Sequence, residues 1–155
     1  MRSASRTSSI RAATTPQEHS SKDSRQRREV MPFHHFDKIE KEYATPKYST
    51  AFGELVTGEK VELGRLSFEK GEGAVEHAHP HEQIMYVISG RLKVEFPDET
   101  GEIGPGSAFH APSMVKHRVT ALEDTVVLSV KNTIDGVGHK INPGETDRLQ
   151  ELGKA

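Results

Sequence analysis

The sequence predicts an all-β domain, a sandwich or barrel of short strands, and three observations carry that prediction. Leu92, Val94 and Phe96 alternate with Arg91, Lys93 and Glu95, the period of a strand with one face buried. Turn signals rich in Gly, Pro and Asp punctuate such runs at Thr57-Gly58, Lys70–Gly73, Ser89-Gly90 and Pro97–Gly101. Helical patterning is confined to Phe36–Tyr43 and the stretch near Thr146–Leu152, so any helix is minor and peripheral.

Taken in order, residues 1–30 are rich in Ser, Thr and Arg, with seven Lys/Arg against three Asp/Glu and almost nothing to bury. Such a segment is expected to be disordered. It reads first as an inert basic tail or a start mis-set upstream of Met31, next as a targeting peptide, and last as a nucleic-acid arm. Residues 31–155 are expected to form one domain. Ser49–Glu54 and Val61–Phe68 read as strands. In the second, the apolar parity moves from Val61 and Leu63 to Leu66 and Phe68 across Gly64, which predicts a bulge there. Gln83–Ile88 is apolar on both faces, as a strand covered on either side would be. Leu92–Phe96, His117–Ala121 and Thr125–Val130 complete the set, the last two joined by Leu122–Asp124. Gly101 to Gly106 reads as a proline-punctuated turn, not a phosphate-binding loop.

Composition narrows the function. There is no cysteine, which excludes disulfides, iron–sulfur clusters and thiolate zinc sites and fits a reducing compartment. No apolar run approaches the roughly 20 residues of a spanning helix, and no secretory signal is visible, so a soluble, cytoplasmic protein without membrane contact is expected. Aromatics are sparse and the residues after the basic tail carry fourteen Lys/Arg against twenty Asp/Glu, which argues against a nucleic-acid partner. Exposed sheet edges, with Phe33–Glu54 available as an exchanged strand, lead us to expect a homodimer.

The histidines are more specific. His77 and His79 lie two apart in Glu76–Gln83, and on a strand they would share a face with Cα atoms roughly 6.6 Å apart. Both imidazoles then reach one ion at about 2.1 Å. Gln83 and His81 share their odd parity, although Pro80 bends the chain between them. His117 must come from a distant strand. If both segments line one barrel, three neutral imidazoles and one amide oxygen converge on a divalent transition metal. Geometry does not choose between Ni, Mn, Fe, Zn and Co.

These spacings resemble the two motifs of the cupin superfamily. Gly71, His77, His79, Gln83 and Gly90 occupy the first motif, with Gln83 where the pattern carries Glu. Gly106, Pro112 and His117 occupy the second, with Met114 in place of its Gly and Ala121 in place of its Asn. The resemblance covers residues 60–131 and implies a small jelly-roll (double-stranded β-helix) barrel with a metal in its mouth. The string His77–Gln83 is similar to cupins of the pectin-degradation type, which implies a substrate of the unsaturated monouronate class. That pattern has an acidic residue and an Arg beyond the last strand, where this sequence reads Ser129-Val-Lys131-Asn132-Thr-Ile-Asp135.

An amide in place of a carboxylate leaves the ion's double charge uncompensated. It makes the metal a stronger Lewis acid and attracts anionic ligands. The expected activity is therefore an isomerase- or lyase-type conversion, by ring opening or tautomerisation, of a small carboxylated sugar or keto acid. A cupin dioxygenase and a non-catalytic small-molecule binder are the alternatives. His81 is a candidate general acid/base or orienting group, and Arg65 a candidate clamp for a substrate carboxylate. His110 and Tyr86 read as structural and Glu82 as solvent-facing.

Overall fold

The computed structural model describes residues 32–140 and 153–154. The tail of residues 1–30 and the helix expected near Thr146–Leu152 lie outside the described residues. The chain divides into two units, Met1–Pro32 and Phe33–Ala155, and all the elements below belong to the second.

Among the described residues, one 3-10 turn, Phe36–Lys38, precedes ten strands: β1 Glu42–Tyr43, β2 Phe52–Thr57, β3 Val61–Phe68, β4 Gly73–His77, β5 Gln83–Ser89, β6 Leu92–Glu95, β7 Thr100–Ile103, β8 Ala108–Ala111, β9 His117–Ala121 and β10 Thr125–Asn132. They form two antiparallel sheets, ordered β1-β2-β3-β10-β5-β8 and β4-β9-β6-β7, the arrangement of a jelly-roll barrel. One core fills the space between the sheets, with Leu66, Phe68, Met85, Val87, Leu92, Val94, Phe109, Val119 and Val127 all buried. Gly90 turns the chain between β5 and β6 at φ +85, and an added Cβ would lie 2.4 Å from the Asp124 carbonyl oxygen. Only glycine fits that turn.

The local expectations are corrected in several places. Phe36–Tyr43 is not a helix. The chain is extended by Ile39, and Glu42–Tyr43 gains edge pairing against Gly53 and Phe52, with the Tyr43 ring 4.9 Å from that of Phe52. Strand β2 begins three residues later than expected, because Ser49 bridges to Ala74 in the opposite sheet. Thr100–Ile103, expected to be turn, pairs with β6 over its whole length.

No bulge occurs at Gly64. Strand β3 pairs in unbroken register with β2 and β10, and it turns Glu62, Gly64, Leu66 and Phe68 inward. Apolar parity misled because Glu62, a carboxylate, faces the interior and is held there by hydrogen bonds. The bulge lies instead in β4, between Ala74 and His77. Ala74 pairs with Val119 and His77 with His117, so one extra residue switches the inward parity from even to odd. That switch turns His77, rather than Glu76, into the barrel.

Strand β5 is not covered on both faces. Met85 and Val87 point inward, whereas Ile84 is 50% and Tyr86 43% exposed on the outer face. No helix among the described residues is long and apolar enough to cross a membrane.

Candidate metal centre

His77 ends β4, His117 begins β9 and Gln83 begins β5, so strand ends from both sheets meet at one mouth of the barrel. His79 lies beyond β4 in the connecting turn. Its position is set by a clasp between the two motif segments. Met114 donates its N–H to the His79 carbonyl at 2.8 Å, and the Ser113 hydroxyl donates to the Pro80 carbonyl at 2.6 Å. Strand parity therefore brings in His77 and His117, whereas loop hydrogen bonds bring in His79.

The three imidazoles form a cluster whose ligating nitrogens lie within 4.8 Å of one another. Each ring is oriented by a backbone carbonyl that accepts its Nδ1–H: Val75 for His77 at 2.7 Å, His81 for His79 at 2.8 Å and Val115 for His117 at 2.9 Å. With Nδ1 protonated, each Nε2 presents a lone pair, the tautomer a metal-binding histidine needs. Tyr48 stacks on His77 at 4.9 Å, and Phe96 packs behind His117 at 5.9 Å.

Gln83 is the candidate for a fourth donor. Its Nε2 donates to Ser129 Oγ at 2.8 Å, which leaves Oε1 facing His79 Nε2 at 3.2 Å. Both of these atoms are acceptors. No proton lies between them, and a cation held there would satisfy the pair. The donor set of three nitrogens and one amide oxygen suits a borderline divalent ion. The residues thus fit a metal held by His77, His79, Gln83 and His117.

Burial keeps the rings neutral. It holds His77 down to about 4 and His79 down to about 3, and it lowers His117 as well, with the Lys131 charge adding to each effect.

The remaining sequence candidates fall elsewhere. His81 is buried, and its Nε2 donates to the Val137 carbonyl at 2.8 Å while Nδ1 has no partner. It serves the cluster through its backbone oxygen, the acceptor for His79. Arg65 lies on the outer face of the six-stranded sheet. It is bound there by Glu54 at 2.9 and 3.2 Å and Asp37 at 3.0 Å, with its guanidinium 5.3 Å from the Phe36 ring. These carboxylates hold its charge, and it does not line the metal cavity. His110 and Glu82 pair on the exposed face at 2.7 Å.

Four inward-facing residues escaped the sequence reading: Glu62, Ser129, Lys131 and His139, all buried. The polar Ser129 within the otherwise apolar Val126–Val130 run, and Lys131 directly after it, are the available signal. Lys131 lines a cavity of about 30 Å³ together with His77, Gln83, His117 and His139. Its exposure is 2%, and among the described residues its ammonium has no hydrogen-bond or ion-pair partner. Burial pulls its pKa down to about 8, against the favourable field of Glu62.

A double-sheet barrel with a three-histidine mouth is the architecture of a small metal-binding jelly roll. Residues 64–131 match the cupin domain family, so this stretch of the chain is a cupin domain. Its structure is similar to that of an RmlC-like cupin from Shewanella frigidimarina (19% identity, TM-score 0.60, covering 68% of this chain and 93% of that one). It is also similar to KdgF from Halomonas sp. (27%, 0.58, 66% and 96%) and to the polyketide cyclase RemF from Streptomyces resistomycificus (18%, 0.60, 79% and 94%). No curated protein matches the chain.

Proposed function

We propose that this cupin is a divalent-metal-dependent enzyme acting on a small carboxylated sugar or keto acid, by ring opening or tautomerisation. One observation carries the reading. The donor set is uncharged, and the ammonium of Lys131 stands unpaired in the same cavity, beside Gln83 in the strand register. The interior carboxylate, Glu62, is taken up by three hydrogen bonds, from Thr57 and from the side chain and backbone of His139, each 2.6 Å long. A divalent ion would leave this interior with a positive surplus, and a buried surplus is met by an anion. The likeness to KdgF and the resemblance of His77–Gln83 to the pectin-degradation cupins support an unsaturated uronate as the first substrate to try.

In this reading a bound metal acts as a Lewis acid on a carbonyl or hydroxyl oxygen of the substrate. Lys131 binds the carboxylate as a point charge. Gln83 keeps the site one charge more positive than the Glu of the usual motif would. The apolar floor of Leu66, Phe68, Met85 and Val119 excludes water beneath the reacting group. Arg65, occupied on the outer face, takes no part.

The test is a metal analysis of the purified chain, then a screen of unsaturated uronates with the loaded protein. Lys131→Met should weaken carboxylate binding by tenfold or more and leave metal content intact, while Arg65→Ala leaves both unchanged. Loaded protein that turns over no acidic sugar, with Lys131→Met binding carboxylates as wild type does, would remove the proposal. A homodimer is also proposed, on the sheet edges and the half-exposed Ile84, Tyr86 and Ile88. A monomeric mass in light scattering would count against it.

A further inference from the structure

Behind the metal cluster runs a chain of buried hydrogen bonds that the proposed chemistry does not use. Glu62 Oε1 lies 2.6 Å from His139 Nδ1, His139 Nε2 lies 2.7 Å from Ser129 Oγ, and Ser129 Oγ accepts from Gln83 Nε2 at 2.8 Å. His139 reaches this position from the segment after β10. Thr45 donates its hydroxyl to the His139 carbonyl at 2.9 Å. Gly138 lies so close to Glu62 that an added Cβ would be 2.6 Å from the Glu62 Cβ, so the approach is open to glycine alone.

We infer that Glu62, His139 and Ser129 are positioning residues that decide which end of the Gln83 amide faces the metal. A carboxamide presents oxygen and nitrogen with nearly the same shape, so packing alone does not choose between them. A flipped amide would aim two N–H groups at a cation. The relay removes that option because the role of each member is fixed by the one before it. Hydrogen bonds from His139 and Thr57 outweigh burial and hold the Glu62 carboxyl down to about 2, so Glu62 only accepts. His139 Nδ1 must therefore donate. Burial lowers the pKa of His139, so the ring is neutral and its Nε2 accepts. The single hydroxyl proton of Ser129 goes to that nitrogen. Toward Gln83, Ser129 can then only accept, so it must meet the NH₂ group, and Oε1 is left facing the three imidazoles.

A Ser–His–carboxylate array of this geometry also serves nucleophilic catalysis. Here Ser129 has 0% exposure and its oxygen already receives the Gln83 amide, so no substrate carbon reaches it. The inference rests on the metal-site reading, not on the identity of the substrate.

Two measurements test it. In the metal-free full-length chain, nitrogen NMR of His139 should find Nδ1 protonated and Nε2 bare. Cobalt(II) affinity should fall by about ten- to hundredfold in Ser129→Ala, the range expected when a partner behind a ligand is lost. The loss should nearly vanish when Ser129→Ala is made in a Gln83→Glu background, because a carboxylate has two equivalent oxygens and needs no orienting. The opposite His139 tautomer overturns the relay by itself. Equal losses in both backgrounds assign Ser129 a merely structural role and overturn it too. A wild-type chain that binds no cobalt(II) overturns the metal-site reading and the purpose of the relay with it.

Discussion

The inner faces of β3, β10 and β5 change character from one end of the barrel to the other. At the base, Leu66 pairs with Val127, which pairs with Val87, and Phe68 pairs with Thr125. At the mouth, Glu62 pairs with Lys131, which pairs with Gln83. The same alternation makes both ends, yet one is a dry core and the other holds two charges, an amide and, nearby, four imidazoles. The base is held by burial, which tolerates any apolar set of suitable volume. The mouth is held by directed hydrogen bonds, where a polar group without its partner costs more than a smaller side chain would. Stability and function therefore reside in different rungs of one sheet, and they should separate under mutation.

The largest effect is expected at the mouth. His117→Ala removes one of the four proposed donors and should lower metal affinity by about a thousandfold, roughly a quarter of a typical structural-site binding energy. The melting temperature of the metal-free protein should hardly fall. Calorimetric titration read beside a thermal melt checks both, and metal retained at wild-type affinity would mean that the ion sits elsewhere. At the base the pattern reverses. Leu66→Ala, at a fully buried position, should cost roughly 3–4 kcal/mol of stability and leave the loaded site's affinity nearly unchanged in protein that still folds. Equal damage to both properties would show that the two ends are mechanically coupled.

Acid should attack the mouth alone. His77 and His79 titrate near 4 and 3 in the folded chain, below the ordinary value of about 6.5. Between these values the unfolded chain binds more protons, so stability falls as pH drops below about 6.5. Two such rings amount to about 3 kcal/mol by pH 5.5, at about 1.4 kcal/mol per ring and pH unit. Urea unfolding of metal-free protein at pH 7.5 and 5.5 measures this. A flat profile would mean that the rings are more hydrated than their burial implies. Met114 gives the smallest expected effect. It stands where the second motif carries Gly, and its φ is 62, a region that costs an ordinary side chain about 1 kcal/mol. Met114→Gly should leave stability level or raise it by up to about 1 kcal/mol, with the clasp to His79 intact. A clear loss would show that the exposed Met side chain contributes contacts.

The three-histidine cluster was legible because motif spacing is local: His77 and His79 lie two residues apart, and His117 follows its own glycine and proline. The strands with one apolar face were legible for the same reason. The geometry assumed for the ligands was less accurate. His79 is not on the strand of His77, and the parity switch was assigned to Gly64 when it lies in β4. The charge of Arg65 and its place before the first motif suggest a substrate clamp. The register turned Arg65 outward onto Glu54 and gave Lys131 the interior.

By itself, then, the sequence determined the alternation that makes a β-barrel, the turns that punctuate it, and three histidines able to hold one ion. The tertiary structure decided what stands behind them. Glu62 is buried because His139, 77 positions away, donates to it, and Gln83 points its oxygen at the imidazoles because Ser129, 46 positions away, receives its amide. Periodicity along a strand fixes which residues share a face. Which residue meets which across the interior depends on strand register and on where the loops return, and neither is encoded within the few residues a local pattern spans.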